Sequence, residues 1–184
     1  YIIDVNCHSK AFSSIYETYI RYRNDIEMPD DININTDYEN PWLYNQVPFG
    51  SDDIEDNFGF VYRITNTQNQ RCYIGRKYFW SFRKPPGKKR KVKQESDWKK
   101  YYGSCPELKK DLKKFGKETF TREILSLHLK LSECNYEETK QLFLNNVLSE
   151  ALDDGTPAYY NGNILGRYMR KDYGNFGGNT QTDT

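Results

Sequence analysis

Two short strings of strand-forming residues constrain the fold of this chain more than any other feature. The runs "GFVYRIT" (59–65) and "RCYIG" (71–75) are β-branched and aromatic, and the polar sequence "NTQNQ" lies between them. Two such runs joined by a short polar loop indicate a β-hairpin. The sequence therefore predicts that Tyr62 and Tyr73, which are 11 residues apart, lie on paired strands of one hairpin.

Helical patterns and one further strand follow the hairpin. The aromatic run "YFWSF" (78–82) predicts a short helix, and residues 105–115 predict a second helix. The segment "TFTREILSL" (119–127) alternates as a strand does, and "LSECNYEETKQLFLNNVLSEAL" (131–152) predicts a longer helix opened by Ser132. For the second helix, Ser104 and Glu107 have the spacing of a capping box at its start. Gly116 suits its end, where a positive φ angle is common.

The order of these elements, β-β-α-α-β-α, indicates the fold class. It predicts an α+β domain with a small three-stranded antiparallel or mixed sheet flanked by helices. The 184 residues suffice for one domain of ordinary size. The regions expected along the chain are a partly ordered N-terminal arm (1–36), an extended acidic and aromatic lead-in (37–58), a folded core (59–168) with a basic loop (84–98), and a flexible C-terminal tail (169–184).

The net charge of +1 conceals two oppositely charged segments. Residues 1–58 contain 3 Lys/Arg and 12 Asp/Glu, whereas residues 76–100 contain 11 Lys/Arg and 2 Asp/Glu. A basic segment of this density is typical of proteins that bind a polyanion, because the release of condensed counterions favours association. A charged loop is often only a solvated loop, and "KKRKVK" also has the composition of a nuclear-import signal.

Several classes of protein are disfavoured by the sequence. The 4 cysteines form no CxxC pair and there are only 2 histidines, which disfavours a zinc site and a disulfide framework. No run of 18 apolar residues is present, and the first residues lack the pattern of a signal peptide. We therefore expect an intracellular protein that does not contact a membrane.

Three further polar residues are spaced so that the fold could bring them to the same site as the two tyrosines. Arg83 follows Gly75 by 8 residues, where a short helix would bring its side chain back over the hairpin. Glu138 lies between Cys134 and Leu142 on a helical stripe that is otherwise apolar, and a carboxylate there needs a metal, a cation or a hydrogen-bond donor. Asn161, in "AYYNGN", follows that helix. Each tyrosine taken alone is more readily an ordinary sheet residue; the ordered set favours a site.

This ordered set resembles the GIY-YIG nuclease family, and in particular its phage-borne, homing-like subgroup. The first family string falls on "FVY" (60–62), where phenylalanine and valine replace the usual glycine and isoleucine, and the second falls unchanged on "YIG" (73–75). The resemblance spans about residues 57–165. It implies the catalytic set Tyr62, Tyr73, Arg76, Arg83, Glu138 and Asn161, with Glu137 as the alternative to Glu138.

The basic insertion leaves one family position without a match. Members often have a histidine or tyrosine four residues after the arginine, but this chain has Gly87 there. Tyr101 and Tyr102 are both open as replacements. Arg76, Lys77, Lys84 and Arg90 compete with Arg83 for the role of the catalytic cation.

The resemblance implies a metal-dependent DNA endonuclease of phage homing or DNA-degrading type, found in the host cytoplasm if phage-encoded. Glu138 would hold one divalent ion, Mg²⁺ or Mn²⁺. Tyr62 would orient or deprotonate the attacking water, with its pKa lowered by nearby Arg76 and Arg83. Arg83 would hold the phosphate, Tyr73 would contact it or support the site, and Asn161 would organise the site.

The expected partner is DNA, most readily double-stranded. The residues expected to bind its phosphates are Lys77, Lys84, Lys88, Lys89, Arg90, Lys91, Lys93, Lys99 and Lys100. The acidic residues 1–58 could fold over this basic surface, bind a second copy or another protein, or act only as a solubilising extension. The competing hypothesis for the whole chain is a catalytically inactive nucleic-acid-binding module or assembly component with the same fold.

Overall fold

The computed structural model describes residues 38–84, 87 and 89–174. The N-terminal arm predicted over 1–36 lies outside these residues, as does most of the predicted C-terminal tail. The strands are β1 (Trp42–Tyr44), β2 (Val47–Pro48), β3 (Gly59–Asn66), β4 (Cys72–Tyr78), β5 (Trp80–Arg83), β6 (Val92–Glu95), β7 (Phe120–His128), β8 (Asn163–Ile164) and β9 (Tyr168–Met169). The α-helices are α1 (Pro106–Phe115), α2 (Leu131–Leu144) and α3 (Arg170–Tyr173).

A mixed sheet of five strands forms the centre of the domain, in the order β2-β1-β7-β3-β4. The predicted hairpin is confirmed as the antiparallel pair of β3 and β4, in which Tyr62 lies opposite Gly75. Strand β7 pairs antiparallel with β3, and β1 pairs parallel with β7. The predicted α+β class is therefore confirmed.

The sheet has two more strands than the sequence predicts, because the lead-in contributes β1 and β2. Trp42 is the residue that fixes this segment, since its side chain has no exposed surface. Its ring packs edge-on against Phe60 and Tyr62, with centroid distances of 5.2 and 5.0 Å. Aromatic pairs at such distances stabilise a core beyond the area that they bury. The lead-in is therefore an integral part of the sheet.

The short helix predicted over residues 78–82 is wrong. These residues end β4 and form β5, which pairs antiparallel with β6 as a separate two-stranded ribbon. Aromatic residues are at least as common in strands as in helices, and pairing with β6 decides between the two. Arg83 is consequently delivered by a strand, opposite Val92, and not by a helix.

The helix predicted over 105–115 is confirmed nearly to its ends, whereas the longer helix predicted over 131–152 ends early, at Leu144, and the caps of both differ. Helix α1 begins at Pro106, and the backbone of Cys105, not Ser104, precedes it without a side-chain cap. Glu107 instead forms an ion pair with Arg71, at 2.5 Å. Helix α2 likewise begins without a side-chain cap. Gly116 does take a positive φ of 86°, as expected at the end of α1.

The core has two layers, one on each face of the sheet, and β3 contributes to both. The layer on one face contains Trp42, Phe60, Tyr62, Phe79, Trp98 and Leu108, among others. The opposite layer contains Val61, Ile74, Cys134, Leu142, Val147, Leu148 and Ile164. Helix α2 covers this second face, where Cys134 and Leu142 are buried as the predicted stripe requires. No helix among the described residues has the length and apolar character needed to cross a membrane.

Candidate active site

The outer edge of β4 is covered along only part of its length. The backbone N–H and C=O of Cys72 bond to Ala158 and Tyr160 of the segment that follows α2. The side-chain amide of Asn161 then accepts from the N–H of Ile74 at 3.0 Å and donates to its C=O at 2.8 Å. Asn161 therefore provides hydrogen-bond partners for the backbone N–H and C=O of Ile74, which would otherwise be unpaired at the edge of the sheet. Beyond Ile74 the edge borders a cleft.

Gly75 allows Tyr62 to reach this edge. A Cβ atom at Gly75 would lie 2.6 Å from the Tyr62 hydroxyl oxygen and 2.8 Å from the ring carbon that bears it. Because any side chain at this position would occupy the space of the phenol, only glycine permits the observed geometry. The position of Tyr62, in "FVY", therefore explains why "YIG" ends in a glycine, Gly75.

Tyr62 is nearly enclosed, with 1% of its surface exposed. Burial raises the pKa of its hydroxyl well above 10, and the neighbouring Tyr73 and Tyr101 raise it further. The expectation that this pKa is lowered is wrong, because burial disfavours the charged phenolate and raises the pKa. Tyr62 is therefore a neutral phenol at physiological pH, and it can donate and accept hydrogen bonds there.

Tyr73 and Tyr101 complete a cluster of three phenols. The ring centroids of Tyr73 and Tyr101 each lie 6.1 Å from that of Tyr62. The hydroxyl of Tyr73 shares a hydrogen bond with the Ser104 hydroxyl, at 3.3 Å. Burial is the largest cause that raises the pKa of Tyr73. Of the two tyrosines left open for the unmatched family position, Tyr101 borders the cleft with Tyr62.

The other wall of the cleft contains an ion pair between β4 and α2. The Arg76 guanidinium donates to Glu138 Oε2, and its Nε donates to the Tyr78 hydroxyl at 3.0 Å. That hydroxyl in turn donates to Asn135 Oδ1 at 2.7 Å, one turn before Glu138 on α2. The Glu138 side chain is 14% exposed. Burial raises the pKa of its carboxyl, and Arg76 offsets part of that rise.

The two walls enclose a cleft of about 420 Å³. The predicted site residues that line it are Tyr62, Tyr73, Arg76, Arg83 and Glu138. Asn161 does not line it and acts through the β4 edge. Glu137, the alternative to Glu138, points elsewhere and bonds to Lys140 and Gln141 on its own helix.

The residues predicted to bind phosphate divide into three groups. Lys77 lies inside the cleft, where its ammonium contacts Asp97 Oδ1 at 2.6 Å and lies 4.0 Å from the centre of the Tyr101 ring. Lys99 packs beside the rings of Tyr38 and Trp98, and Lys100 is exposed. The residues on or beside the β5–β6 ribbon are Lys84, Lys89, Arg90, Lys91 and Lys93, all exposed. Lys88 lies outside the described residues.

One buried cation positions the segment that carries Tyr101. Arg122 is 1% exposed, and its guanidinium donates to the backbone carbonyls of Lys99 and Tyr101 at 2.9 and 3.0 Å. It also donates to the carbonyl of Asn40 in the lead-in. Burial lowers its pKa to about 10. Arg122 therefore joins the lead-in, β7 and the wall of the cleft.

The donor set fits a lightly coordinated divalent ion. Within the described part of the chain, no three His, Cys, Asp or Glu side chains gather in a group that could hold a metal. Mg²⁺ commonly keeps several water ligands and uses one or two carboxylates together with substrate phosphate oxygens. Glu138 provides one such carboxylate at the wall of a cleft with room for water and phosphate. A one-carboxylate site is thus compatible with these residues once Arg76 shares or releases Glu138.

The architecture described so far matches a known family. The family model "SegE_GIY-YIG: Putative endonuclease segE, GIY-YIG domain" matches residues 42–164. The chain belongs to this GIY-YIG family. The matched part of the GIY-YIG domain begins with β1 and ends with β8, so it includes the two lead-in strands. The searches of curated proteins and of solved structures give no match to the chain.

Three cleft residues that form hydrogen bonds with predicted side chains were not themselves predicted from the sequence. Tyr78 follows Arg76 by two positions on β4, so strand periodicity could have placed both on one face. Ser104 and Asp97 come from loops after the ribbon, and no pattern in the sequence links them to the hairpin. Loop residues of this kind are positioned by tertiary structure alone.

Proposed function

We propose that this GIY-YIG domain is an active, metal-dependent DNA endonuclease that hydrolyses phosphodiester bonds, of the phage homing or DNA-degrading type. The observation that carries the proposal is the composition of the cleft, where a carboxylate, two arginines and a phenol cluster border one cavity. Phosphodiester hydrolysis needs a positioned water, compensation of charge on the phosphoryl oxygens and assistance to the leaving oxygen. Each of these tasks has a suitable side chain in the cleft.

Tyr62 orients the attacking water and keeps its own proton. Its raised pKa makes the phenol a poor base near neutral pH. A neutral hydroxyl with a fixed ring can hold a water by a hydrogen bond in one direction, and Trp42 and Tyr101 fix that ring. Tyr73, whose hydroxyl lies at Ser104, contacts the phosphate or supports Tyr62.

The two arginines bind the phosphate. Arg83 reaches the cleft from the end of β5, where it is exposed and can meet a phosphate as the duplex arrives. Arg76 is held by Tyr78 on the opposite wall. Guanidinium groups form paired hydrogen bonds with phosphate oxygens, and these bonds strengthen as negative charge accumulates there.

Glu138 holds the divalent ion, Mg²⁺ or Mn²⁺. When bound, such an ion polarises the scissile phosphate and stabilises the leaving oxygen. Glu138 is suited to this role because α2 presents it to the cleft while its neighbours Cys134 and Leu142 are buried. Asn161 positions the site by fixing β4 at Ile74, directly before Gly75.

One observation favours the alternative, a binding module without activity: Glu138 is already neutralised by Arg76. Conversion of supercoiled plasmid with Mg²⁺ separates the two functions. The comparison is between the native chain and Glu138→Gln, each at a concentration that gives the same fraction of bound DNA. Glu137→Gln is the matched control, because Glu137 is the adjacent carboxylate and does not line the cleft.

An active nuclease converts plasmid to nicked or linear forms only with metal, and Glu138→Gln lowers the rate by about 100-fold or more while Glu137→Gln does not. Binding without conversion by any of the three proteins would establish the inactive module instead. Equal loss in both glutamine variants would overturn the assignment of Glu138.

A further inference from the structure

We propose that the β5–β6 ribbon enters the major groove of duplex DNA and that Phe82 reads base edges there by apolar contact. This inference rests on the proposed function, because it takes DNA as the ligand of the cleft. It adds an element that recognises sequence to a site that otherwise contacts phosphate. The ribbon has three features that suit this role: a fixed base, an exposed apolar residue among cations, and continuity with the cleft.

The base of the ribbon is fixed to the core. Phe79, directly before β5, has no exposed surface, and Trp80 donates from its indole to the carbonyl of Asn57 at 3.0 Å. On the other strand, Glu95 accepts hydrogen bonds from Ser51 at 2.8 Å and Trp98 at 2.5 Å. Both strands are therefore held where they leave the domain, so the ribbon projects in a defined direction.

The outer part of the ribbon combines apolar and basic side chains. Phe82 is 53% exposed although its aromatic neighbours Phe79 and Trp80 are more buried. Lys93 lies directly opposite Phe82, and its ammonium lies 3.9 Å from the centre of the Trp80 ring. Glu95 is the only acidic residue between positions 80 and 95, and its carboxylate accepts a hydrogen bond from Ser51 at the base of the ribbon. The ribbon thus presents an apolar contact on a surface complementary to DNA phosphates.

The ribbon continues one wall of the cleft. Trp80, Ser81 and Arg83 of β5 line the cleft, whereas Phe82 does not. A duplex with a phosphate at Arg83 must pass along the ribbon. Ser81 and Arg83 then lie on the face of β5 that meets the backbone, and Phe82 lies on the other face, beyond Trp80.

The dimensions of the ribbon suit the major groove. Two paired strands lie about 4.8 Å apart, and four residues of a strand span about 13 Å. The major groove is about 12 Å wide and admits a two-stranded ribbon, whereas the minor groove, about 6 Å wide, does not. Within the major groove, phenylalanine can contact the methyl group of thymine, which is a readout of sequence. Exposed cations such as Lys91 would contact the flanking phosphates.

The test selects sequences from a pool of randomised duplexes in EDTA, so that cleavage plays no part. The native chain is compared with Phe82→Ala and with the control Val47→Ala, which truncates an apolar residue of similar exposure on β2. The native chain and the control should enrich the same motif. Phe82→Ala should lose about tenfold preference at one or two positions of that motif.

A second measurement identifies the contact. Replacing thymine by deoxyuridine at those positions removes the methyl group, and it should weaken native binding while leaving Phe82→Ala unchanged. The slope of affinity against salt should be the same for the native chain and Phe82→Ala, because no charge is removed, whereas Lys93→Ala should lower it by about 1. Circular dichroism on each variant confirms that it is folded.

Two results would overturn this inference: no motif enriched by the native chain, or the same motif enriched by Phe82→Ala. Neither result affects the plasmid assay, in which cleavage by the native chain supports the proposed function independently. Conversely, if the chain enriches a motif through Phe82 but cleaves no plasmid with metal, the role of the ribbon in sequence recognition stands and the proposed nuclease activity is refuted.

Discussion

Replacing Gly75 by alanine tests whether this glycine is required by the position of the Tyr62 hydroxyl. The added Cβ would meet the Tyr62 hydroxyl at 2.6 Å, whereas ordinary carbon contacts begin near 3.4 Å, so the phenol must move by about 1 Å. It has little room, because its ring is packed against Trp42 at 5.0 Å and Phe60 at 5.9 Å. Overpacking of this kind typically costs about 1–3 kcal/mol of unfolding free energy.

Two assays measure the outcome. In a domain of this size the loss corresponds to a decrease of roughly 2–12 °C in Tm. A displacement of about 1 Å at Tyr62 should also lower the plasmid-cleavage rate by about 100-fold if the phenol positions the attacking water. Gly162→Ala is the matched control, because a Cβ at Gly162 meets no atom within 4 Å.

A double-mutant cycle checks the physical cause. Tyr62→Phe removes the oxygen at 2.6 Å but leaves the ring carbon at 2.8 Å, so Gly75→Ala should cost less in the Tyr62→Phe background than in the native chain. If Gly75→Ala destabilises no more than Gly162→Ala, or if the two changes at Gly75 and Tyr62 are additive, the steric explanation of this glycine is refuted.

Two further predictions concern buried charge. Arg122→Met should lower the unfolding free energy by about 3 kcal/mol in denaturant titration, because it leaves the partly buried carbonyls of Asn40 and Tyr101 without the Arg122 donor. A loss below about 1 kcal/mol would contradict this account. Glu138 has a raised pKa when folded, so the folded state holds this proton more tightly and its stability falls as pH rises from about 4.5. Glu138→Gln should therefore have a higher Tm than the native chain at pH 7 and a similar one near pH 4, and a lower Tm at pH 7 would show that the ion pair with Arg76 outweighs desolvation.

Local sequence patterns predicted the hairpin and the helix stripe because both depend on neighbours along the chain. Tyr62 and Tyr73 are brought to one face by strand periodicity and a short loop. Glu138 is exceptional on an apolar stripe, and the structure places its neighbours Cys134 and Leu142 in the core. The family strings then placed the whole arrangement among the GIY-YIG domains.

What the sequence did not predict depends on contacts between distant segments. The strand character of residues 80–83 is decided by pairing with residues 92–95 across a basic loop, and an aromatic run alone does not specify a partner. The pKa of Tyr62 was predicted with the wrong sign, because counting nearby cations ignores the cost of burying the phenolate. Glu107 was predicted to cap the start of α1, but its carboxylate pairs with Arg71, which is distant in sequence.

The position of β1 has a practical consequence for dissecting the protein. A fragment that starts at Gly59, the first residue of β3, would make β7 an edge strand with one side unpaired and would leave an empty space where Trp42 packs. Exposed edges of this kind template intermolecular pairing and aggregation. Fragments that contain both motif strings but begin after Trp42 would then fail as soluble reagents before their chemistry could be measured, and such failure would carry no information about activity.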